Sequence, residues 1–352
     1  MRCLFLEGIA FLMLASAPMA WAEARLVSFT RWDAVTASVD PRTGETVFES
    51  GGLEAGVAWD RMVASWNAAP PLTVEVEVSP RASSEGRFFS FGRWTAQPVD
   101  PSDRSSIGNQ REAGARMDTD TLILPQPVEG FRFRVRLRGP RESLKRLSFA
   151  LSRSKEASSE GGGRKAWDRS LEVPVLSQAD HPEGVTKWCS PACTAMLVSY
   201  WADDRGRPEW RRDIPEVARG VFDPGWGGTG NWSFNMAYAG AVPGLNAAVS
   251  RFRGLADLEQ WVAAGAPAAV SVSYAQLQGK PTPEPDDGHL VVVRGFTATG
   301  DVRVHDPGVR RERVQRVIPR TDFARAWTYS DRTVYLVWPD GFRLPEGPVF
   351  PR

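Results

Sequence analysis

The chain has 352 residues, enough for two hydrophobic cores, and a formal net charge of +1 that gives no electrostatic reason to expect nucleic acid or a membrane surface as partner. Past the N-terminus no segment supplies the roughly eighteen uninterrupted apolar residues of a membrane helix, so a soluble chain without a membrane span is expected. Three cysteines in total exclude a disulfide framework.

Residues 1–22 read as a secretory signal peptide: Arg2 opens them, residues 9–17 form a short apolar run, and Ala20-Trp21-Ala22 supplies a small-x-small cleavage site. Cys3 would leave with that leader, and the mature protein is expected to be secreted or periplasmic in a bacterium. From residue 25 to 152 the pattern has period two. Residues 72–78 alternate apolar and polar, residues 131–138 alternate apolar and arginine, and residues 147–151, 87–94 and 121–124 are further strands. Short strands with polar turns predict an all-β sandwich of jelly-roll type. Within it Trp32, Trp59, Trp66 and Trp94 could form a platform for a carbohydrate ligand, although sandwich tryptophans more often fill the core. Asp118 and Asp120 flank Thr119 as candidate calcium ligands and read first as solvated carboxylates.

Residues 153–166 include Gly161-Gly162-Gly163 among serines and charges, a composition expected of a flexible linker. Residues 167–338 mix the two periods, which predicts an α+β domain. Helices are expected over 190–201, 214–221, 255–264 and 320–327, and strands over 268–274, 290–296, 302–305 and 333–338. Thr299-Gly300-Asp301 closes a hairpin between two of these strands, and residues 339–352 read as a proline-rich extended tail.

The chemistry-bearing residues lie in this second half. Gln178 ends a short apolar strand, and Cys189 opens an apolar helix, where unpaired backbone N–H groups and the helix dipole favour thiolate over thiol. Of the three histidines, His289 opens an apolar strand and is the candidate base; His305 reads as structural or solvent-facing, and His181 as a residue of the cleft rim. Pairing around the 299–301 turn would bring Asp306 alongside His289, to fix its tautomer while the other ring nitrogen meets the thiol. Gln178 can donate to a developing oxyanion. Cys193, one helical turn past Cys189, is expected to pack in the core. A zinc site on Cys189 and Cys193 has the wrong spacing for a knuckle and lacks a second cysteine pair, so no metal and no cofactor are expected.

In these motifs the chain resembles the papain-like cysteine peptidases of family 39, the bacteriocin-processing or double-glycine type, and especially secreted members without a transporter. The resemblance rests on Gln178, on Cys189-Ser190-Pro191-Ala192, on Gly288-His289 opening an apolar strand, on Asp306-Pro307, and on the segment from Gly228 to Ala239. It implies a papain-like domain with Cys189 as nucleophile, His289 as base, Asp306 as orienting group and Gln178 as oxyanion donor. Ser190 departs from the usual glycine, and the gap from Gln178 to Cys189 is long. The implied activity is that of a secreted cysteine peptidase or amidase. Its substrate would be a peptide or protein, cell-wall peptide included, and it would work as a monomer. An inactive papain-fold binding module and a thioester acyl transferase are the alternatives.

Overall fold

The computed structural model describes residues 24–33, 35–80, 86–154 and 164–352. The expected leader and residues 155–163 of the expected linker lie outside the described residues.

The N-terminal half is all β. Its strands are β1 (Ala24–Phe29), β2 (Val35–Val39), β3 (Thr46–Ser50), β4 (Leu53–Ala68), β5 (Thr73–Ser79), β6 (Phe89–Trp94), β7 (Arg111–Glu112), β8 (Ala115–Asp118), β9 (Thr121–Arg138) and β10 (Leu144–Ser152). The two strands expected within residues 121–138 are one: β9 pairs with β8 at its start and with β4 between Leu122 and Phe131, then with β3 and β5 over Arg132–Arg138, so it serves both layers of the sandwich. Its alternation sets the layer. Phe131, Phe133, Val135 and Leu137 are buried, while the intervening arginines pair across strands. Arg132 and Arg134 reach Glu49 at 3.1 and 3.0 Å, and Arg136 reaches Glu77 at 3.0 Å and Asp40 at 3.2 Å. Such part-exposed pairs add little stability each. A one-residue slip would set arginine against the core, so together they fix register.

The tryptophan platform is not formed. Trp59, Trp66 and Trp94 are fully buried, and the partly buried Trp32 stacks on Phe48 at 6.1 Å between centroids. Their large apolar area serves the sandwich core rather than a sugar.

The C-terminal half is α+β. Its helices are α1 (Cys189–Asp204), α2 (Ile214–Val221), α3 (Trp232–Ala241), α4 (Leu255–Ala263), α5 (Tyr274–Leu277) and α6 (Arg320–Trp327). Strands β11 (Arg169–Ser170), β12 (Leu245–Arg251), β13 (Ala268–Ser273), β14 (Gly288–Phe296), β15 (Val302–His305), β16 (Gln315–Ile318) and β17 (Thr333–Pro339) form a sheet of order β12-β17-β13-β14-β15-β16, with β11 on β14. Helix α1 is buried from Ser190 to Ala202 on every face, because it lies between this sheet, α2 and α3. Trp201 Nε1 donates to the Val337 carbonyl at 2.7 Å and fixes the helix on β17.

The two halves share cores and hydrogen bonds. Phe234 and Ala237 of α3 belong to the sandwich core, while Leu26, Val63 and Ala150 of the sandwich join the core of the second half. Strand β12 is an edge, and its outward N–H groups are covered by sandwich side chains: Ala247 donates to Asn67 Oδ1 at 3.1 Å and Val249 to Ser65 Oγ at 3.1 Å. Asn67 returns a bond to the Ala247 carbonyl at 2.8 Å. The segment expected as a proline-rich extended tail closes the same seam. Val349 and Phe350 are buried, Pro348 accepts from Leu26 N at 2.8 Å, and Val349 accepts from Ser250 Oγ at 2.6 Å. No helix among the described residues is long and apolar enough to cross a membrane.

Candidate active site

Cys189 begins α1, whose N-terminus carries no capping side chain, so its first backbone N–H groups remain free to act on what lies there. The thiol is partly exposed in a cleft of about 810 Å³. Burial pushes the thiol up. The hydrogen bond and charge of His289, with the backbone N–H groups of Leu290 and Ser190, outweigh that and hold it below the ordinary thiol value. Ser190, in place of the usual glycine, turns inward: its hydroxyl meets Tyr335 Oη at 2.8 Å in the core.

His289 stands near the start of β14 and is 7% exposed. Its Nε2 meets Asp306 Oδ1 at 2.8 Å, which leaves Nδ1 for the thiol. The register of β14 on β15 pairs Val292 with His305, so Asp306 falls opposite Val291, and His289 points from the same face two residues away. Burial alone would lower the imidazole; the bonds to Asp306 and Cys189 and their charges reverse this and raise it to about 10. The Tyr274 ring covers one edge of the imidazole, 4.7 Å between centroids. Glycine is required at 308, where a Cβ would stand 2.8 Å from His289 Cε1.

Asp306 is fully buried and its oxygens are occupied. Oδ1 accepts from His289 and from Gly308 N at 2.9 Å, and Oδ2 from Arg316 Nη1 at 2.5 Å. Burial pushes the carboxyl up, but the His289 bond and charge, the Gly308 N–H and Arg316 hold it below the usual carboxylate range. Sequence reasoning missed Arg316. It lies on β16, opposite Val304, and the four-residue string Gln315-Arg316-Val317-Ile318 is too short to give a clear strand signal.

The structure brings Cys189, His289 and Asp306 together. Gln178 lies against the same segment, its N–H donating to the Pro307 carbonyl at 3.0 Å. Its Nε2 donates to the Val185 carbonyl at 2.8 Å and its buried Oε1 has no partner. The long gap to Cys189 folds into successive turns, with Trp188 N and Lys187 N both donating to the Gly184 carbonyl. His181 faces the Trp188 ring, 6.0 Å between centroids. Cys193 is buried in the core, where burial raises its thiol well above the ordinary value. His305, expected as structural or solvent-facing, is fully buried.

Residues 170–335 match the Peptidase_C39 like family, and residues 19–153 match the Peptidase C39 N-terminal domain. Among solved structures the chain is similar to one described as a candidate C39-like peptidase from Bacillus anthracis, with 16% identity, 49% of this chain and 98% of that chain covered, and a TM-score of 0.37. No curated protein matches.

Proposed function

The chain belongs to the peptidase C39-like family through its C-terminal half, behind a peptidase C39 N-terminal domain, and from that premise we propose that it is a secreted cysteine hydrolase that cleaves a peptide or amide bond. The observation that carries this reading is the 2.8 Å bond from His289 to Asp306 together with the thiol-lowering bond from His289 to Cys189. The charged imidazole of His289, bonded to the sulfur, favours the thiolate form of Cys189.

The thiolate attacks the substrate carbonyl carbon and its electrons move to the oxygen. The Cys189 backbone N–H at the start of α1 and a Gln178 amide N–H hold that oxyanion; the Gln178 amide has a second hydrogen beyond the one given to Val185. As the tetrahedral adduct collapses, imidazolium gives its proton to the leaving amine, which departs and leaves an acyl-thioester on Cys189. His289 then takes a proton from water, the resulting hydroxide attacks the thioester carbonyl, and the acid product leaves as the thiolate–imidazolium pair is restored. Asp306, locked by Arg316 and Gly308, keeps the ring in place through both steps. Export through residues 1–22 would put the enzyme among extracellular peptides, cell-wall peptide included.

The test is intact-mass analysis after incubation with a peptide mixture, with and without an added amine acceptor. A hydrolase gives a transient acyl adduct on the wild type, none on Cys189→Ala, and free-acid products whether or not the amine is present. Incorporation of the amine would make it a transferase. Neither adduct nor cleavage would leave a binding module.

A further inference from the structure

The cleft that holds Cys189 is built by both halves of the chain. Beside Cys189, Ser190, Gly228, Thr229 and Leu290 of the second half, it is lined by Arg61 and by the tip of the β8–β9 hairpin of the sandwich, Asp118 to Thr121. Its volume lies within the roughly 300–1,000 Å³ of sites that enclose a sizeable ligand.

The hairpin is held there firmly. Thr119 takes a left-handed conformation, φ 53°, which turns the chain at the tip. Asp120 folds inward, is 6% exposed, and accepts from the Trp232 N–H at the start of α3 and from Thr121 Oγ1 at 3.2 Å. Burial pushes its carboxyl up to about 7, against the pull of those bonds and of Arg251. The neighbouring rim is tied across the halves as well: the buried Asp223 accepts from Ser106 N at 2.9 Å and from Asn231 Nδ2 at 2.9 Å, which fixes the loop carrying the half-exposed Trp226. A spacer domain needs none of these bonds.

The charges lining this cleft are unevenly matched. Arg251 pairs with Asp331 at 2.7 Å, and Arg61 with Asp60 at 3.3 Å. Asp118 and Asp286 are exposed and make no ion pair among the described residues, against one exposed lysine, Lys187. Asp118 is the sandwich's free charge on this wall. We propose that the N-terminal sandwich is one wall of the substrate cleft, and that Asp118 at its hairpin tip selects an extended peptide segment carrying a cationic side chain. The proposal rests on the hydrolase reading for the identity of the cleft, but it concerns docking rather than chemistry.

Docking is therefore measured without turnover. Fluorescent peptides of one scaffold, bearing lysine, glutamine or glutamate at successive positions, are titrated into full-length Cys189→Ala protein by anisotropy at low and high salt. At one position lysine should bind about three- to tenfold tighter than glutamate at low salt, the gap narrowing as salt rises. Asp118→Asn should shrink that ratio towards one and Asp118→Lys should invert it. Both changes are at an exposed position, and in a Cys189-containing background both should leave the iodoacetamide reaction rate of Cys189 within about twofold of wild type, a check that the nucleophile's surroundings are intact. A charge preference that Asp118→Lys does not move, or binding indifferent to peptide charge at every position, overturns the proposal. Loss of the iodoacetamide reactivity expected of wild-type Cys189 would instead overturn the hydrolase reading, and the binding series would still report on the wall.

Discussion

Two buried imidazoles stand on neighbouring strands of one sheet and behave in opposite ways. His289 on β14 has an aspartate on one side and a thiol on the other, and is raised to about 10. His305 on β15 is fully buried and lowered to about 4, first by burial and then by the charge of Arg294. The Pro174 carbonyl approaches its ring, but neither ring nitrogen makes a well-formed hydrogen bond. The lesson is that burial disfavours the charged ring in both places, and only opposite charge within hydrogen-bond reach reverses the sign. Stability follows in opposite directions. The charged form of His289 stabilises the fold fully below its unfolded value near 6.5, and that contribution is lost as pH rises towards about 10. The neutral form of His305 stabilises above 6.5, and its contribution is lost as pH falls towards about 4.

Removing the partnered ring should have the largest consequence. His289→Ala is expected to lower kcat/KM by about 10²–10⁴-fold, the usual worth of a placed acid–base group, measured on whichever peptide the mass analysis identifies. Asp306→Asn keeps the shape but removes the charge and turns an N–H towards Arg316. It should cost roughly ten- to a hundredfold, with the thiol midpoint moving up; an unchanged midpoint would mean that Asp306 does not set the imidazole charge. Arg316→Ala acts one step further out. A loss of a few-fold is expected, with the acid limb of the pH–rate profile moving towards neutrality because Asp306 then protonates more easily.

His305→Leu should leave kcat/KM unchanged while flattening the acid side of the stability curve. Wild type is expected to lose about 3 kcal/mol more than the variant between pH 7 and 4, read from urea midpoints. Equal acid sensitivity in both proteins would show that His305 is hydrated or paired in solution.

Much of this site could be read from the residues alone. Cys189 at a helix start, His289 at a strand start and Asp306 across a hairpin follow from local pattern and turn chemistry, because each depends on neighbours close in sequence. Helices α2 and α6 and strand β15 fall where periodicity puts them. What stayed hidden depends on distant pairing. Arg316 gains its place only because β16 pairs with β15. Ser65 and Asn67 look like ordinary polar strand residues, yet they finish the edge of β12 some 180 positions later. The second half of β4 is buried on both faces, so its side chains do not alternate and the strand announced itself poorly. Asp120 read as a solvated carboxylate for the same reason: nothing nearby in sequence reveals that α3 will cover it.

The most direct test of the account is the pH dependence of iodoacetamide alkylation at Cys189, followed by peptide mass mapping in wild type and His289→Ala. Cys193, buried and with its thiol raised, should not compete. The account predicts a wild-type midpoint below the ordinary thiol value of about 8.5, and a midpoint above it once the imidazole is gone. A wild-type thiol that titrates at or above the ordinary value, or one indifferent to the loss of His289, would contradict it.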